Sequence, residues 1–338
     1  MKKVLGLAAL ILAIAVATTL LSKDPDTGSY PFLSAYNLEN LLQRVGMYGV
    51  LSFAAAFVIV TGGIDLSIGA VVCVAGCLLP WLLRGGGGDA AAGAAGLGLP
   101  PLLAVGATLL VCAAIGAWHG ALVVGLRLQP FVVTLCGLLL YRGVMRKFTG
   151  DQTMGLGDTA EGLRWLATGK LAVSASFGVP VPLLVLVAIA VATWVLWTRT
   201  VWGRHLLALG RNEEAARYAG VATGRLTLLA YVACSLLAGL AGCLFVLDVN
   251  SAQASSFGNF YELYAIAGAV LGGVALRGGE GQVLGVVLGA SLMQLLSNTI
   301  NLVADSNQLE FAVVGGVILV GAAADEGVQR WLRGRGRR

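Results

Sequence analysis

A lone carboxylate interrupts the most apolar part of the sequence. Asp65 sits in Thr61-Gly62-Gly63-Ile64-Asp65-Leu66-Ser67-Ile68-Gly69, with long apolar runs on both sides. A charge in such surroundings needs water, a partner or a helix end. Two roles are open to it. Asp65 or Ser67 can cap the helix that follows by accepting from its free N–H groups, or Asp65 can lie at the inner mouth or in the lining of a path across the membrane. Gly62 and Gly63 break the apolar stretch from Val45 to Leu83 into two halves that can each barely cross a bilayer core of about 30 Å. A second break, Leu271-Gly272-Gly273-Val274-Ala275-Leu276-Arg277-Gly278-Gly279-Glu280-Gly281, lies in the C-terminal half. Glycine breaks in corresponding parts of two halves suggest an internal repeat with broken helices at a transport pathway.

Other chemistry is sparse. The two histidines, His119 and His205, stand beside no carboxylate or cysteine constellation suited to metal or nucleophilic chemistry. Cys73, Cys77, Cys112, Cys136, Cys234 and Cys243 all fall in apolar runs, where a thiol behaves as a small hydrophobe. The Cys73 and Cys77 pair lacks the further ligands a soft metal requires. No G-x-x-x-x-G-K-[ST] phosphate loop is present, so the chain is not itself an ATPase. One polar segment does have the grammar of a short helix. Asn212 can cap it, Glu213 and Glu214 suit its positive end, Ala215 and Ala216 follow, Arg217 suits its negative end, and Gly220 can close it. Two helical turns are not stable alone in water. This helix must lean on the protein's own inner face or on a groove of another chain.

The elements that must position these residues follow from composition. The chain has 338 residues, 58% hydrophobic and 12% charged, with a mean hydropathy of +0.86. That composition excludes a sizeable soluble domain and fits an all-α integral membrane protein with about ten spans. They are expected at 4–21, 44–61, 68–83, 100–123, 130–147, 180–198, 226–247, 262–276, 283–303 and 309–323, forming one transmembrane domain over 1–338. The first run is read as a retained span; a signal peptide cleaved near Ala15-Val16-Ala17 is the rival reading. With both termini in the cytoplasm, most basic residues fall inside and most acidic residues outside. Arg142, Arg146 and Lys147 run against that rule. The connection 199–225 is then cytoplasmic and 148–179 an outer loop, while Asp248 and Glu262 fall near the outer surface. The net charge of +5 is a matter of membrane orientation, with no nucleic-acid role. Many of the 48 glycines sit inside spans, at Gly116 and Gly120, Gly268 and Gly272, and Gly281, Gly285 and Gly289. Spaced in that way they let helices approach closely in lipid. The Gly85 to Gly98 patch reads as a flexible outer loop.

Four segments, in order, resemble the permease subunits of ATP-driven importers for ribose and related monosaccharides, within the larger group that includes branched-chain amino-acid permeases. They are Gly62-Gly63-Ile64-Asp65-Leu66-Ser67-Ile68-Gly69; Pro130-Phe131-Val132-Val133-Thr134-Leu135 with Arg142-Gly143; Gly203-Arg204 through Asn212-Glu213-Glu214-Ala215-Ala216-Arg217 and Gly220; and Tyr261-Glu262-Leu263 with Leu271-Gly272-Gly273 and Gly278-Gly279. The similarity covers nearly the whole chain. It implies a cell-membrane permease with no cofactor of its own, ATP and Mg being bound by a partner ATPase. It also implies that the ATPase docks on the helix from Glu213 to Gly220, that an extracytoplasmic sugar-binding protein delivers substrate, and that a second permease copy or a homologue completes the pathway. Tyr264 stands where the family usually has an acidic residue.

A sugar offers hydroxyls and no charge, so its route calls for amides, hydroxyls and aromatic faces. Gln294, Asn298 and Asn301 follow the i, i+4, i+7 rule of one helical face, and Thr134 is a plausible fellow. Hydrogen bonds between helices are the alternative use of each. Another small polar solute, such as a branched-chain amino acid, is an open substrate. An ion-coupled transporter is the more distant rival, and it would call for paired charges deep in the spans.

Overall fold

The computed structural model describes residues 2–25, 28–85, 96–157, 160–174 and 176–303, with isolated positions at 312, 315, 316 and 319. Most of the expected span at 309–323 and most of the Gly85 to Gly98 loop lie outside the described residues. The chain is a helical multi-pass membrane protein, with two small strand pairs among the described residues. Helices α1 (Lys2–Leu21), α2 (Ala35–Val60), α4 (Pro101–Gly125), α7 (Val181–Arg199), α10 (Thr223–Val249) and α12 (Val283–Val303) are, among the described residues, those long and apolar enough to cross a membrane. Helices α3 (Ile68–Leu83) and α11 (Tyr261–Leu271) are apolar but shorter. Helix α5 (Pro130–Thr149) follows the expected 130–147 closely and carries Arg142, Arg146 and Lys147. Helix α2 begins nine residues before the expected 44, because Ser34 caps it through the Asn37 N–H.

The core is built on α2, α3 and α10, whose inner faces are almost fully buried. Gly116 and Gly120 let α4 close against α10. A methyl on Gly120 would lie 2.7 Å from Leu228 Cα, and one on Gly116 would meet the backbone of Tyr231 and Val232. Gly268 of α11 and Gly272 at its end face Gly285 and Gly289 of α12 backbone to backbone, so the small-residue ridges do serve packing. Helix α1 lies on α12, where Thr18 and Thr299 share a hydroxyl hydrogen bond of 2.7 Å.

The connections sort to two ends of the bundle. At one end lie α8 (Val201–Arg211), the short α9 (Glu213–Tyr218) and both glycine breaks. At the other, the expected outer loop 148–179 holds β1 (Thr153–Gly155), α6 (Glu161–Thr168) and the hairpin of β2 (Lys170–Ala172) with β3 (Gly178–Pro180). β1 pairs antiparallel with β4 (Ser251–Gln253), Met154 opposite Ala252. Helix α2 anchors this cap. Glu39 accepts from Lys170 Nζ and, at 2.7 Å, from the Gly178 N–H, while Gln43 donates to the Ala167 carbonyl.

Two of the three cations that run against the charge rule, Arg142 and Arg146, have partners here. Arg142 donates to the carbonyls of Ala254 and Phe257 at 3.0 and 3.1 Å. Arg146 grips both carboxylate oxygens of Asp151 just beyond α5, which lowers the Asp151 pKa below its ordinary value.

Candidate functional site

Helix α3 has 16 residues and reaches only about 24 Å at 1.5 Å per residue, short of a bilayer core. The segment from Thr61 to Ser67 makes up the difference by climbing back into the bundle from the end of α2. Gly63, Asp65 and Ser67 are buried. Irregular backbone at that depth survives only where the protein satisfies its polar groups. Gly62 adopts φ +85° to start the turn, and the Gly62 and Gly63 N–H groups bond back to Ile59 and Val58. Gly63 has no room for a side chain, since a methyl would lie 2.9 Å from the Tyr231 hydroxyl.

Asp65 completes the segment. Its Oδ1 accepts the Ser67 N–H at 2.8 Å and the Ser67 hydroxyl at 2.6 Å, one residue before α3 begins. Ser67 occupies the cap position of α3 but makes no cap hydrogen bond with its own side chain, and Asp65 holds this cap residue through its N–H and hydroxyl. Oδ2 takes the Cys234 thiol at 3.5 Å. Asp65 is 2% exposed and lies on no water-facing rim within this chain. Thr134 of α5 secures the same segment from the other side. Its Oγ1 accepts the Leu66 N–H at 3.1 Å and lies 3.2 Å from the Ile64 carbonyl. Gly62, Gly63, Asp65, Ser67 and Thr134 therefore form one constellation.

The surrounding groups come from parts of the chain that sequence spacing does not connect. His119 is buried inside α4, with Nε2 2.8 Å from the Tyr141 hydroxyl and its ring edge-on to Tyr231. Glu262 is also misplaced by sequence reasoning. It is not near the outer surface, because residues 254–260 fold back into the bundle and bury its carboxylate against Gly69 in the first turn of α3. That is where a helix favours negative charge.

The amides of α12 are not part of this constellation. Gln294 is buried, Asn298 is half-buried and Asn301 is exposed. Asn298 forms a reciprocal pair with Asn37 of α2, at 2.8 and 3.3 Å. Nearer the cap, Tyr48, Phe245, Tyr261 and Tyr264 form an aromatic cluster with ring centroids 4.8 to 5.5 Å apart. Tyr264 points inward to Tyr48 and is buried. Asp248 at the edge of the cluster accepts from Gln43 at 2.8 Å. Aromatic spacing across three helices left no local signal of this cluster.

The short helix forms as its residues require. Asn212 Oδ1 accepts the Ala215 N–H at 2.9 Å, Glu213 and Glu214 fill the first turn, and Arg217 lies in the last. Gly220, at φ +82°, closes it through its N–H to the Arg217 carbonyl, followed by Val221 to Ala216. Ala216 is its only buried residue, and Tyr218 is 87% exposed. The longer amphipathic α8 before it was not singled out by sequence, because its polar residues read as part of a loop.

A family model described as the permease component of branched-chain amino acid transport systems matches residues 37–322, which include both breaks and α9. The chain is 35% identical over 322 residues to the ribose import permease protein RbsC of Escherichia coli K12, covering 95% of this chain and 92% of that one. It is 34% identical over 295 residues to the protein of the same name from Bacillus subtilis, covering 87% and 86%. It is 34% identical over 286 residues to the galactofuranose transporter permease protein YtfT of Escherichia coli K12, covering 83% and 78%. No solved structure matches the chain. With most of its length matched in both comparisons, the chain belongs to the family of membrane permease components of transport systems.

Proposed function

We propose that this chain is the membrane-spanning permease subunit of an ATP-driven importer and forms the pathway for a monosaccharide such as ribose. Relatives named for ribose, galactofuranose, D-allose and fructose support the substrate class. The observation that carries the mechanism is α9. It is a fully capped helix that exposes Glu213, Glu214, Arg217 and Tyr218 and buries only Ala216. An exposed aromatic flanked by charges is the composition of a docking anchor. A cytoplasmic ATPase receives this helix in a groove, and ATP and Mg are bound there. The opposite end, with its α6 and strand pairs, faces the extracytoplasmic sugar-binding protein. A second permease copy or a homologue completes the pathway in the cell membrane.

In this arrangement the chain has ten spans, the tenth at 309–323, with both termini in the cytoplasm. The two glycine breaks are corresponding parts of two halves. The hydroxyls and amides of Thr134, Gln294, Asn298 and Asn301 are candidate contacts along the route. Asp65 acts there through the backbone of the first break.

Co-purification tests the docking assignment. The ATPase encoded beside this chain is expected to co-purify with it, and Glu213→Ala with Glu214→Ala is expected to reduce that recovery while the permease stays folded. Undiminished recovery would remove α9 from the docking surface. A thermal-shift screen of the binding protein with ribose, galactose, allose, fructose and leucine assigns the solute class.

A further inference from the structure

The two glycine breaks lie more than two hundred positions apart in the sequence, yet their backbones meet, and the third partner is the end of α8. The Gly279 N–H donates to the carbonyl of Val60, the last residue of α2, at 2.8 Å. Arg211 Nε donates to the Gly279 carbonyl at 3.3 Å. A methyl on Gly278 would lie 2.7 Å from the Gly62 nitrogen and 2.9 Å from the Gly210 carbonyl oxygen. One on Gly210 would overlap the Val60 oxygen and the Gly279 nitrogen, and one on Gly279 would overlap Arg211. Three backbone segments fill the space that side chains would otherwise occupy.

Local conformation explains only part of this. Gly62, Gly278 and Gly279 have φ of +85°, +82° and +75°, values that favour glycine on their own. Gly210 does not, because it lies inside the α-helical α8, where glycine costs about 1 kcal/mol relative to alanine. Its identity is accounted for by the contact alone. Asn212, two residues later, caps α9. The route onward is also continuous. From Val60 the first break leads to Asp65, tied to α10 through Cys234, and to Leu66, tied to α5 through Thr134. From Gly279 the second break leads into α12 and back to α11.

We propose that this backbone junction is the link through which movement of α9 reaches both broken segments at once, with Gly210 and Arg211 as positioning residues. Side chains absorb displacement by changing rotamer, whereas directly packed backbones leave no such slack. The inference rests on the docking of an ATPase at α9. The test therefore reads coupling between the sites directly.

The test uses the full complex of permease, ATPase and binding protein in lipid vesicles. Three quantities are read: ATPase recovery, hydrogen exchange in peptides covering 58–66 and 272–282 with and without ATP and vanadate, and sugar imported per ATP hydrolysed. In the wild-type complex, trapping is expected to change exchange in both peptides. Arg211→Ala is expected to keep ATPase recovery but lower sugar imported per ATP by at least about fivefold, and to abolish the exchange response of peptide 272–282. Gly210→Ala is expected to act in the same direction; where it fails to fold, Arg211→Ala decides. Wild-type peptides that do not respond, or an Arg211→Ala complex with unchanged sugar per ATP, would overturn the junction while leaving docking intact. ATPase recovery that is indifferent to Glu213→Ala with Glu214→Ala would overturn both, through a separate readout.

Discussion

Thr134 Oγ1 accepts the backbone N–H of Leu66 at 3.1 Å, tying the first turn of α5 to a stretch of non-helical backbone inside the bundle. Valine has the shape of threonine without the hydroxyl. Thr134→Val leaves the Leu66 N–H without a partner, a loss of about 1–3 kcal/mol. We expect a lower melting temperature in detergent and reduced sugar uptake, with Thr134→Ser close to wild type. Equal melting temperatures for the valine and serine variants would show that the hydrogen bond does not hold the segment.

Asp65 separates charge from hydrogen bonding. Asp65→Asn keeps an oxygen for the Ser67 N–H and hydroxyl, whereas Asp65→Ala removes it and opens a buried gap. Folded yield should therefore fall for alanine and hold for asparagine. For Asp65→Ala, uptake is expected to drop by more than the folded amount drops. Uptake falling only in step with yield would leave Asp65 as a cap alone.

The glycines divide by their surroundings, and thermal stability should divide with them. Gly289→Ala drives a methyl into the Gly268 carbonyl, an overpacking of the α11 and α12 contact of about 1–3 kcal/mol. Gly273→Ala meets no atom and carries only the strain of φ +87°, about 1–2 kcal/mol. Gly143→Ala meets nothing and lies within a helix, so it should be neutral or stabilising.

The Asn37 and Asn298 amides are expected to act as one interhelical unit. In a double-mutant cycle of Asn37→Ala and Asn298→Ala, the coupling energy should be near the membrane average of about 0.6 kcal/mol. A cycle that is additive in stability but strongly coupled in sugar uptake would return Asn298 to the transport route.

Six of the expected spans, at 4–21, 44–61, 100–123, 180–198, 226–247 and 283–303, fall on helices long and apolar enough to cross a membrane, because hydropathy reports burial in lipid directly, and the helix ends of α3, α5 and α12 lie within two residues of their expected positions. The α9 caps were legible for a similar reason: capping is a matter of residues three or four apart. What local pattern does not carry is where non-adjacent segments meet. Glu262 reads as a surface carboxylate until the 254–260 segment is seen to fold inward and bring it to Gly69. The helical-face rule placed Gln294, Asn298 and Asn301 together, but they end up buried, half-buried and exposed in turn, because burial depends on which neighbours reach each turn of α12. Arg142 broke the charge rule because its partners are backbone carbonyls of a distant loop. Gly210 drew no notice because nothing local distinguishes a helical glycine pressed against two backbones from one that faces open space.

The most direct test of the account is sugar import by the reconstituted complex. Proteoliposomes holding this chain and its ATPase, with ATP inside and the sugar-loaded binding protein outside, are expected to accumulate labelled ribose or a related monosaccharide. Accumulation should stop without ATP and weaken sharply with Glu213→Ala and Glu214→Ala. Uptake that persists without ATP and follows an imposed ion gradient would contradict the account.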